Sequence, residues 1–204
     1  TLNLPFSMLS SLKLKVQLKD LTVTSFTYNL VHMFRSMNID YEVHRNDKIS
    51  PEEALSFDVI ILSPGPGIPS EAGNMNGIIA ACAGKKPILG ICLGHQAIAE
   101  YLGAKLNNMS VVHHGVQTKI IIKSNEGIFH GIPRKIDVGR YHSWEVVGDG
   151  LPENISIIAE DENGTVMALS DHLKKIYGIQ FHPESVMTEY GQEIIKNFLK
   201  IASC

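Results

Sequence analysis

Short apolar runs alternate along much of the chain with segments whose apolar residues recur every three or four positions. Residues 58–62, 87–91 and 176–181 are apolar almost throughout, which is typical of parallel strands buried on both faces. Residues 26–37 and 93–102 place their apolar side chains on one helical stripe. The alternation predicts an α/β fold in which helices flank a mostly parallel, doubly wound sheet.

Further segments extend this pattern. Residues 41–44 have the pattern of a short strand, and Ser50-Pro51-Glu52-Glu53 is a capping box that starts a helix. The chain closes with a predicted helix over residues 189–201, whose sheet-facing side chains are Ile194, Ile195, Phe198 and Leu199.

The pattern changes between residues 105 and 168, where strand-like runs are separated by glycine and asparagine turns and show little helix signal. The runs are residues 116–122, 155–159 and 166–169. We expect a smaller antiparallel or mixed sheet here, layered beside the main one.

The first 24 residues depart from the rest of the chain. Residues 12–19 alternate strictly between apolar and polar, which indicates a strand buried on one face only. We interpret this segment as an edge strand rather than as an additional site. It is the atypical start of one domain that we expect to span residues 1–204.

Composition and charge restrict the class of protein. The chain has 204 residues, enough for one domain with a substantial core, and 44% hydrophobic and 19% charged residues are a soluble globular balance. A net charge of -3 and the lack of a basic patch argue against a nucleic-acid partner. No apolar run reaches the roughly 18 residues that span a bilayer, and residues 1–8 show no export signal. Because three cysteines do not make a disulfide framework, we expect a cytoplasmic protein.

The most informative residue is Cys92, which lies between the strand of residues 87–91 and the helix that follows. Gly90 and Gly94 flank it, and this Gly-x-Cys-x-Gly pattern is the cysteine form of a nucleophile elbow. The first amides of the helix would face the sulfur, an environment that favours thiolate. A small buried structural cysteine is the alternative that this motif alone leaves open.

A second candidate element follows the strand of residues 176–181. His182 stands at the carboxyl end of that strand, before Pro183, and Glu184 lies two residues further on. Such a histidine can act as a base that the carboxylate orients. A histidine at a strand end is commonly structural, but Cys92 and His182 together favour nucleophilic catalysis.

The Ser-Pro-Gly-Pro-Gly turn of residues 63–67 follows another predicted strand end. Its prolines lack amide hydrogens, whereas Gly65 and Gly67 can bring theirs close to a ligand. Gly65 is our candidate oxyanion donor, with the amide of Leu93 as the second. An ordinary turn is the alternative, and a dinucleotide-binding loop is excluded because Ser70 stands where its last glycine would be.

Taken together, these motifs resemble the class I, or triad, glutamine amidotransferase family. The likeness rests on GICLGHQ at residues 90–96 and QFHPES at residues 180–185, and it covers residues 25–201. It implies a flavodoxin-like α/β fold, and it implies that the catalytic triad is Cys92, His182 and Glu184. The turn after residue 62 would be the family's oxyanion loop, with Gly65, Pro66 and Gly67.

The resemblance also implies a site for L-glutamine. Residues 140–144 form a cluster of large polar and aromatic groups that we expect beside a loop, and residues 140–143 resemble the segment that holds the substrate backbone. The backbone of Ser143 and Trp144 would bind the α-carboxylate and amine of glutamine, and Gln96 would close the other side. Packing at the sheet junction is the alternative role for the Tyr141 and Trp144 side chains.

Residues 25–30, SFTYNL, narrow the resemblance to the branch of anthranilate synthase component II and the amidotransferase subunit of aminodeoxychorismate synthase. This branch implies a separate chorismate-using synthase as partner, for tryptophan or, alternatively, for folate biosynthesis. No cofactor is required by the site residues, and Mg2+ would belong to the partner. A non-catalytic scaffold subunit is the alternative from a different class.

Two segments differ from what these motifs suggest. Residues 21–24 stand where the family carries a short Asp-Asn-Tyr-Asp loop. His113 and His114 are adjacent, but neighbouring strand residues face opposite ways and no third ligand is spaced nearby, so we expect no metal site.

Overall fold

The computed structural model describes residues 14–18 and 25–204. Within these residues, nine strands form one sheet, in the order β2-β1-β3-β4-β9-β8-β7-β5-β6. The elements in chain order are β1 (Leu14–Leu18), α1 (Ser25–Ser36), β2 (Tyr41–Arg45), α2 (Pro51–Ala54), β3 (Val59–Leu62), α3 (Met75–Cys82), β4 (Ile88–Ile91), α4 (Leu93–Tyr101), β5 (Lys105–Ile122), β6 (Lys135–Val147), β7 (Ser156–Asp161), β8 (Val166–Asp171), β9 (Ile176–Ile179) and α5 (Gly191–Ser203).

The half of the sheet that contains β2, β1, β3, β4 and β9 is parallel, and helices cover it on both faces, which confirms the predicted α/β fold. The strands that precede Cys92 and His182 are direct neighbours, because β4 pairs with β9. Gly90 lies opposite Gly178 in this pair. Since the carboxyl ends of parallel strands meet at one edge, the two predicted catalytic elements lie side by side.

Each face of the sheet carries its own core, and β3 contributes to both. Val59 and Ile61 belong to the core that includes α1 and α5, whereas Ile60 and Leu62 belong to the core that includes α2, α3 and α4. All four side chains are buried. A strand covered on both faces has no solvent side, which explains its continuous apolar run.

The first strand lies inside the sheet, so the interpretation of residues 12–19 as an edge strand is wrong. In β1, Leu14 pairs in parallel with Tyr41 of β2 on one side and with Val59 of β3 on the other. The alternation of apolar and polar residues indicates which face of a strand is buried. The position of the strand in the sheet depends instead on the crossover through α1. The predictions for the loop at residues 21–24 lie outside the described residues.

The antiparallel strands are present, but they continue the main sheet instead of forming a separate layer beside it. β8 pairs with β9, and β7, β5 and β6 follow. The outer side of β9 offers unpaired backbone groups, and β8 satisfies them. β5 has 18 residues and runs well beyond the predicted strand segment at residues 116–122, and the 13-residue β6 was not predicted as a strand.

The helices follow the sequence pattern except at α3. Ser50 accepts a hydrogen bond from the amide of Glu53, whose carboxylate accepts one from the amide of Ser50, so the predicted capping box is confirmed at α2. α3 was not predicted, because its residues MNGIIAAC are apolar almost all round and show no stripe. Within residues 14–18 and 25–204, no helix is long and apolar enough to cross a membrane.

Candidate active site

Cys92 occupies the sharp turn between β4 and α4. Its backbone has φ 53° and ψ -102°, which non-glycine residues rarely adopt, and only 5% of the residue is exposed. A Cβ on Gly90 would lie 2.3 Å from the carbonyl oxygen of Gly94, and a Cβ on Gly94 would lie 2.5 Å from that of Leu62. The two glycines are therefore required for this close strand–helix contact, and the turn has the geometry of the predicted elbow.

The elbow holds the sulfur against the end of β9. The Cys92 amide donates to the carbonyl of Ile179 at 2.8 Å, which extends the β4–β9 pairing by one residue. The sulfur lies 4.0 Å from the carbonyl oxygen of Tyr141, and the Cys92 and His182 side chains attract each other electrostatically. The predicted nucleophile and the predicted base are thus close enough to interact.

His182 is also bonded to the third predicted residue. Its Nδ1 atom lies 2.8 Å from Oε1 of Glu184, and both side chains are buried. The loop that carries them is attached to β6, because the His182 amide donates to the Gly139 carbonyl at 3.1 Å. The Thr188 hydroxyl donates to the His182 carbonyl at 2.6 Å. The structure therefore brings Cys92, His182 and Glu184 together, with a hydrogen bond between His182 and Glu184 and an electrostatic interaction between Cys92 and His182.

The electrostatics of His182 favour its charged form. Burial lowers the pKa of His182, but the hydrogen bonds and the charge attraction from Cys92 and Glu184 outweigh burial and raise it from 6.5 to about 10. An imidazolium at neutral pH has a proton available for a leaving group.

Tyr141 forms one wall of the site. Its ring centre lies 4.9 Å from that of His182 at an interplanar angle of 65°, an edge-to-face contact. The ring of His114 lies on Tyr141 as well, at 6.2 Å. Packing, the alternative considered from the sequence, therefore describes what the Tyr141 side chain does here.

The candidate oxyanion donors come from two neighbouring strand ends. Gly65 is half-buried and Pro66 and Gly67 are exposed in the loop after β3, and Gly67 has φ 76°. Leu93 is the buried first residue of α4, directly after Cys92. The pairing of β3 with β4 puts both segments at the same edge of the sheet. The roles of Gly65 and Leu93 in binding an oxyanion stay a prediction.

The predicted glutamine-binding residues are joined to one another. The carbonyl oxygen of Trp144 accepts hydrogen bonds from Nε2 of Gln96 at 3.0 Å and from Nδ1 of His142 at 2.8 Å. Nε2 of Gln96 also donates to Oε1 of Gln180 at 3.2 Å. Two donors use both lone pairs of the Trp144 oxygen. The Trp144 carbonyl is therefore occupied by partners within the protein.

A buried ion pair supports the same segment. Nη1 of Arg140 donates to Oδ2 of Asp161 at 2.6 Å, and Nε of Arg140 donates to Nε2 of His142 at 3.0 Å. Burial and the charge of Arg140 lower the pKa of His142 to about 3, so its ring is neutral and accepts from Arg140. Residues 140–144 lie within β6, so the expectation that they stand beside a loop is wrong. The polar groups of this segment can lie inside the sheet because residues of other elements pair with them, as Asp161 of β7 does with Arg140.

Comparison with known proteins assigns the chain to a family. The family model for glutamine amidotransferase class-I matches residues 19–202. The chain belongs to this family. Anthranilate synthase component 2 of Pseudomonas aeruginosa is 40% identical over 183 residues, which cover 86% of this chain and 90% of that protein. Aminodeoxychorismate synthase component 2 of Escherichia coli is 40% identical over 177 residues, covering 86% and 94%.

The fold comparison agrees with this assignment. A solved structure described as a GMP synthase subunit of Thermoplasma acidophilum is 30% identical, with a TM-score of 0.81. The match covers 93% of this chain and 94% of that one. The fold of this chain is therefore that of a class I glutamine amidotransferase.

Metal-ligating residues do not cluster in the described part of this amidotransferase. In residues 14–18 and 25–204, no group of three or more His, Cys, Asp or Glu side chains could hold a metal ion. His113 instead lies beside the ring of His142, with ring centres 5.6 Å apart.

Sequence reasoning missed three residues of the site. Asp161 lies on β7 and carries no local motif, so nothing in the sequence points to its bond with Arg140. Gln180 did carry a signal, because it lies two positions before His182 and alternate strand residues share a face. His95 is fully buried beneath the elbow, where a Cβ on Gly178 would lie 2.5 Å from its Nδ1 atom.

Proposed function

We propose that this chain is the glutaminase subunit of an anthranilate synthase. It would hydrolyse the side-chain amide of L-glutamine and deliver ammonia to a chorismate-using synthase subunit in tryptophan biosynthesis. The observation that carries this proposal is the His182–Glu184 hydrogen bond beside Cys92, whose side chain raises the pKa of His182. The 40% identity to an anthranilate synthase component 2 supports the choice of pathway.

The first half of the reaction forms a thioester. The Cys92 thiolate attacks the amide carbon of glutamine, and the carbonyl oxygen becomes an oxyanion that faces the amides of Gly65 and Leu93. Removing one such donor typically costs about 2.7 to 4 kcal/mol of transition-state stabilisation. The His182 imidazolium gives its proton to the departing nitrogen, the C–N bond breaks, and ammonia leaves.

The second half restores the enzyme. Neutral His182 takes a proton from water, whose oxygen attacks the thioester carbon, and the C–S bond breaks to release glutamate and the Cys92 thiolate. The proton stays on His182 for the next turnover. Glu184 accepts the Nδ1 hydrogen of His182 throughout, which fixes the tautomer and stabilises the imidazolium.

The partner follows from the product. Ammonia has to be consumed by a second active site, so we propose a separate synthase subunit of the anthranilate synthase component I type. Mg2+ would belong to that subunit, and the residues proposed here need no cofactor. Glutamine hydrolysis by the isolated chain should be slow, because uncoupled hydrolysis would waste substrate. We place the complex in the cytoplasm, in keeping with the cysteine usage of the chain.

The decisive experiment compares two nitrogen sources. The Cys92→Ala variant in complex with the synthase subunit should make no anthranilate from glutamine and normal amounts from ammonia. The Cys82→Ala variant is the control, because Cys82 is likewise a buried free cysteine but lies on α3 and not at the elbow. Continued use of glutamine by Cys92→Ala would end the proposal.

A second candidate is the supply of ammonia to aminodeoxychorismate synthase, for folate biosynthesis. It rests on the relative named aminodeoxychorismate synthase component 2, which is also 40% identical. The purified chain should be mixed with each synthase, glutamine, chorismate and Mg2+, and the aromatic product identified. Anthranilate alone supports the first proposal, the aminodeoxychorismate product alone supports the second, and both products indicate that one chain serves the two pathways.

A scaffold without catalysis is tested by alkylation. Iodoacetamide should label Cys92, and glutamine should protect it. Cys204 is exposed and would also react, so the test uses a Cys204→Ser background. An unreactive Cys92 would favour the scaffold.

A further inference from the structure

Three alternate residues of one segment face the first turn of α4. Gly178 contacts His95, Gln180 is hydrogen-bonded to Gln96, and His182 interacts electrostatically with Cys92. Positions two apart in an extended chain share a face, so the segment that ends in the base also touches the substrate-binding residue. Gln180 has a polar side chain in this series that the proposed mechanism does not use.

Gln96 has no hydrogen left to donate to a ligand. A side-chain amide carries two N–H hydrogens and one carbonyl oxygen. Nε2 of Gln96 donates to the carbonyl of Trp144 at 3.0 Å and to Oε1 of Gln180 at 3.2 Å. The side-chain carbonyl of Gln96 is therefore the group that remains for a substrate. An acceptor at this position recognises an ammonium group and not a carboxylate.

Gln180 is placed to impose that orientation. Its side chain is fully buried, and its backbone amide donates to the Met167 carbonyl at 2.9 Å, which ties it to β8. Within the described residues, Nε2 of Gln180 has no hydrogen-bond partner, so Oε1 is the atom of this amide that makes a contact. A buried N–H without a partner costs free energy. If packing were the only role of this position, an apolar side chain would fill it at a lower cost than an amide.

We propose that Gln180 is a positioning residue that fixes the Gln96 amide so that its oxygen meets the α-ammonium of glutamine. This inference rests on the proposed function and adds the basis of selection for an α-amino acid. Without the Gln180 acceptor, the Gln96 amide keeps one hydrogen bond, to the Trp144 carbonyl, and can rotate about its side chain. Binding through the ammonium would weaken, whereas the bond-breaking steps at Cys92 would not change.

The test compares glutamine with glutaramate, which is glutamine without the α-amino group. Gln180→Met removes the acceptor, and Gln180→Glu retains it. Both variants are assayed in complex with the synthase subunit, measuring the KM for glutamine, kcat and the competitive inhibition constant of glutaramate. Ser170→Ala is the matched control, because Ser170 is fully buried on the adjacent β8 and its hydroxyl has no partner among the described residues.

We expect Gln180→Met to raise the KM for glutamine about five- to tenfold, the usual effect of losing one hydrogen bond. Its kcat and its glutaramate inhibition constant should stay within about twofold, and Gln180→Glu and Ser170→Ala should resemble the wild type. A general structural defect would instead weaken glutaramate and glutamine equally, which overturns the inference. An unchanged KM in Gln180→Met, or a Gln180→Glu variant as impaired as Gln180→Met, also overturns it. If wild-type complex makes no product from glutamine, the proposed function itself fails.

Discussion

Nδ1 of His182 and Oε1 of Glu184 lie 2.8 Å apart in the interior, with Oε2 of Glu184 unpaired among the described residues. Glu184→Gln keeps the shape and one acceptor but removes the charge that stabilises imidazolium. We expect kcat for glutamine-dependent synthesis to fall about 100-fold or more, with ammonia-dependent synthesis unchanged. The control is Glu193→Gln, at an exposed site on α5. If the two variants were equally active, Glu184 would have no role in the reaction.

The free energy of unfolding should depend on pH because His182 is charged in the folded protein. Because its pKa is raised from 6.5 to about 10, its contribution is fully present below 6.5 and is lost as the pH rises through about 10. Cys92→Ala removes one of the interactions that raise this pKa, so its stability should decline less over that interval. Urea midpoints measured across the interval check this, and parallel curves for both proteins would contradict it.

Replacing glycine by alanine at Gly90 and at Gly131 should distinguish the cost of a steric clash from the cost of an unfavourable backbone conformation. In Gly90→Ala the new Cβ would lie 2.3 Å from the Gly94 carbonyl oxygen, and backbone cannot move aside cheaply. We expect a loss of more than about 3 kcal/mol in the free energy of unfolding. Gly131→Ala is the control, since its Cβ meets nothing within 4 Å and only its φ of 76° is unfavourable. It should cost about 1 kcal/mol, and similar losses in both variants would refute the packing argument.

The buried Arg140–Asp161 pair should be far more sensitive than an exposed pair. Asp161→Asn leaves the Arg140 charge buried without its counterion, which we expect to cost about 3 to 5 kcal/mol. Asp137→Asn breaks the exposed pair with Lys119 and should cost less than about 1 kcal/mol. Denaturant unfolding measures both. Because Arg140 also bonds His142, Asp161→Asn should in addition raise the KM for glutamine, and losses of similar size at both aspartates would contradict this account.

Local patterns made much of the fold predictable. The continuous apolar runs at β3, β4 and β9 were identified because strands covered on both faces must be apolar throughout. The capping box at Ser50 and the stripe on α4 involve residues no more than four positions apart. α3 escaped prediction because its nearly uniform apolar surface has no periodicity to detect.

The long-range features could not be read in the same way. The position of β1 inside the sheet and the continuation of the parallel sheet into β8 depend on crossovers and edges, which leave no trace in periodicity. The strand placement of residues 140–144 was missed for a related reason, since large polar groups are buried there by partners from elsewhere. Arg140 pairs with a residue 21 positions away.

The sequence by itself determined the chemistry of the turn at Cys92. Glycines at positions 90 and 94 permit its backbone, and the proline after His182 marks the second element, so both are properties of a few consecutive residues. Only the tertiary structure decided how these elements meet. The pairing of β4 with β9 brings the segments of Cys92 and His182 next to each other. It also allows a hydrogen bond between Gln96 and Gln180, which are 84 positions apart. Contacts of that kind depend on strand pairing, and the residues that make them carry no local signal of their partners.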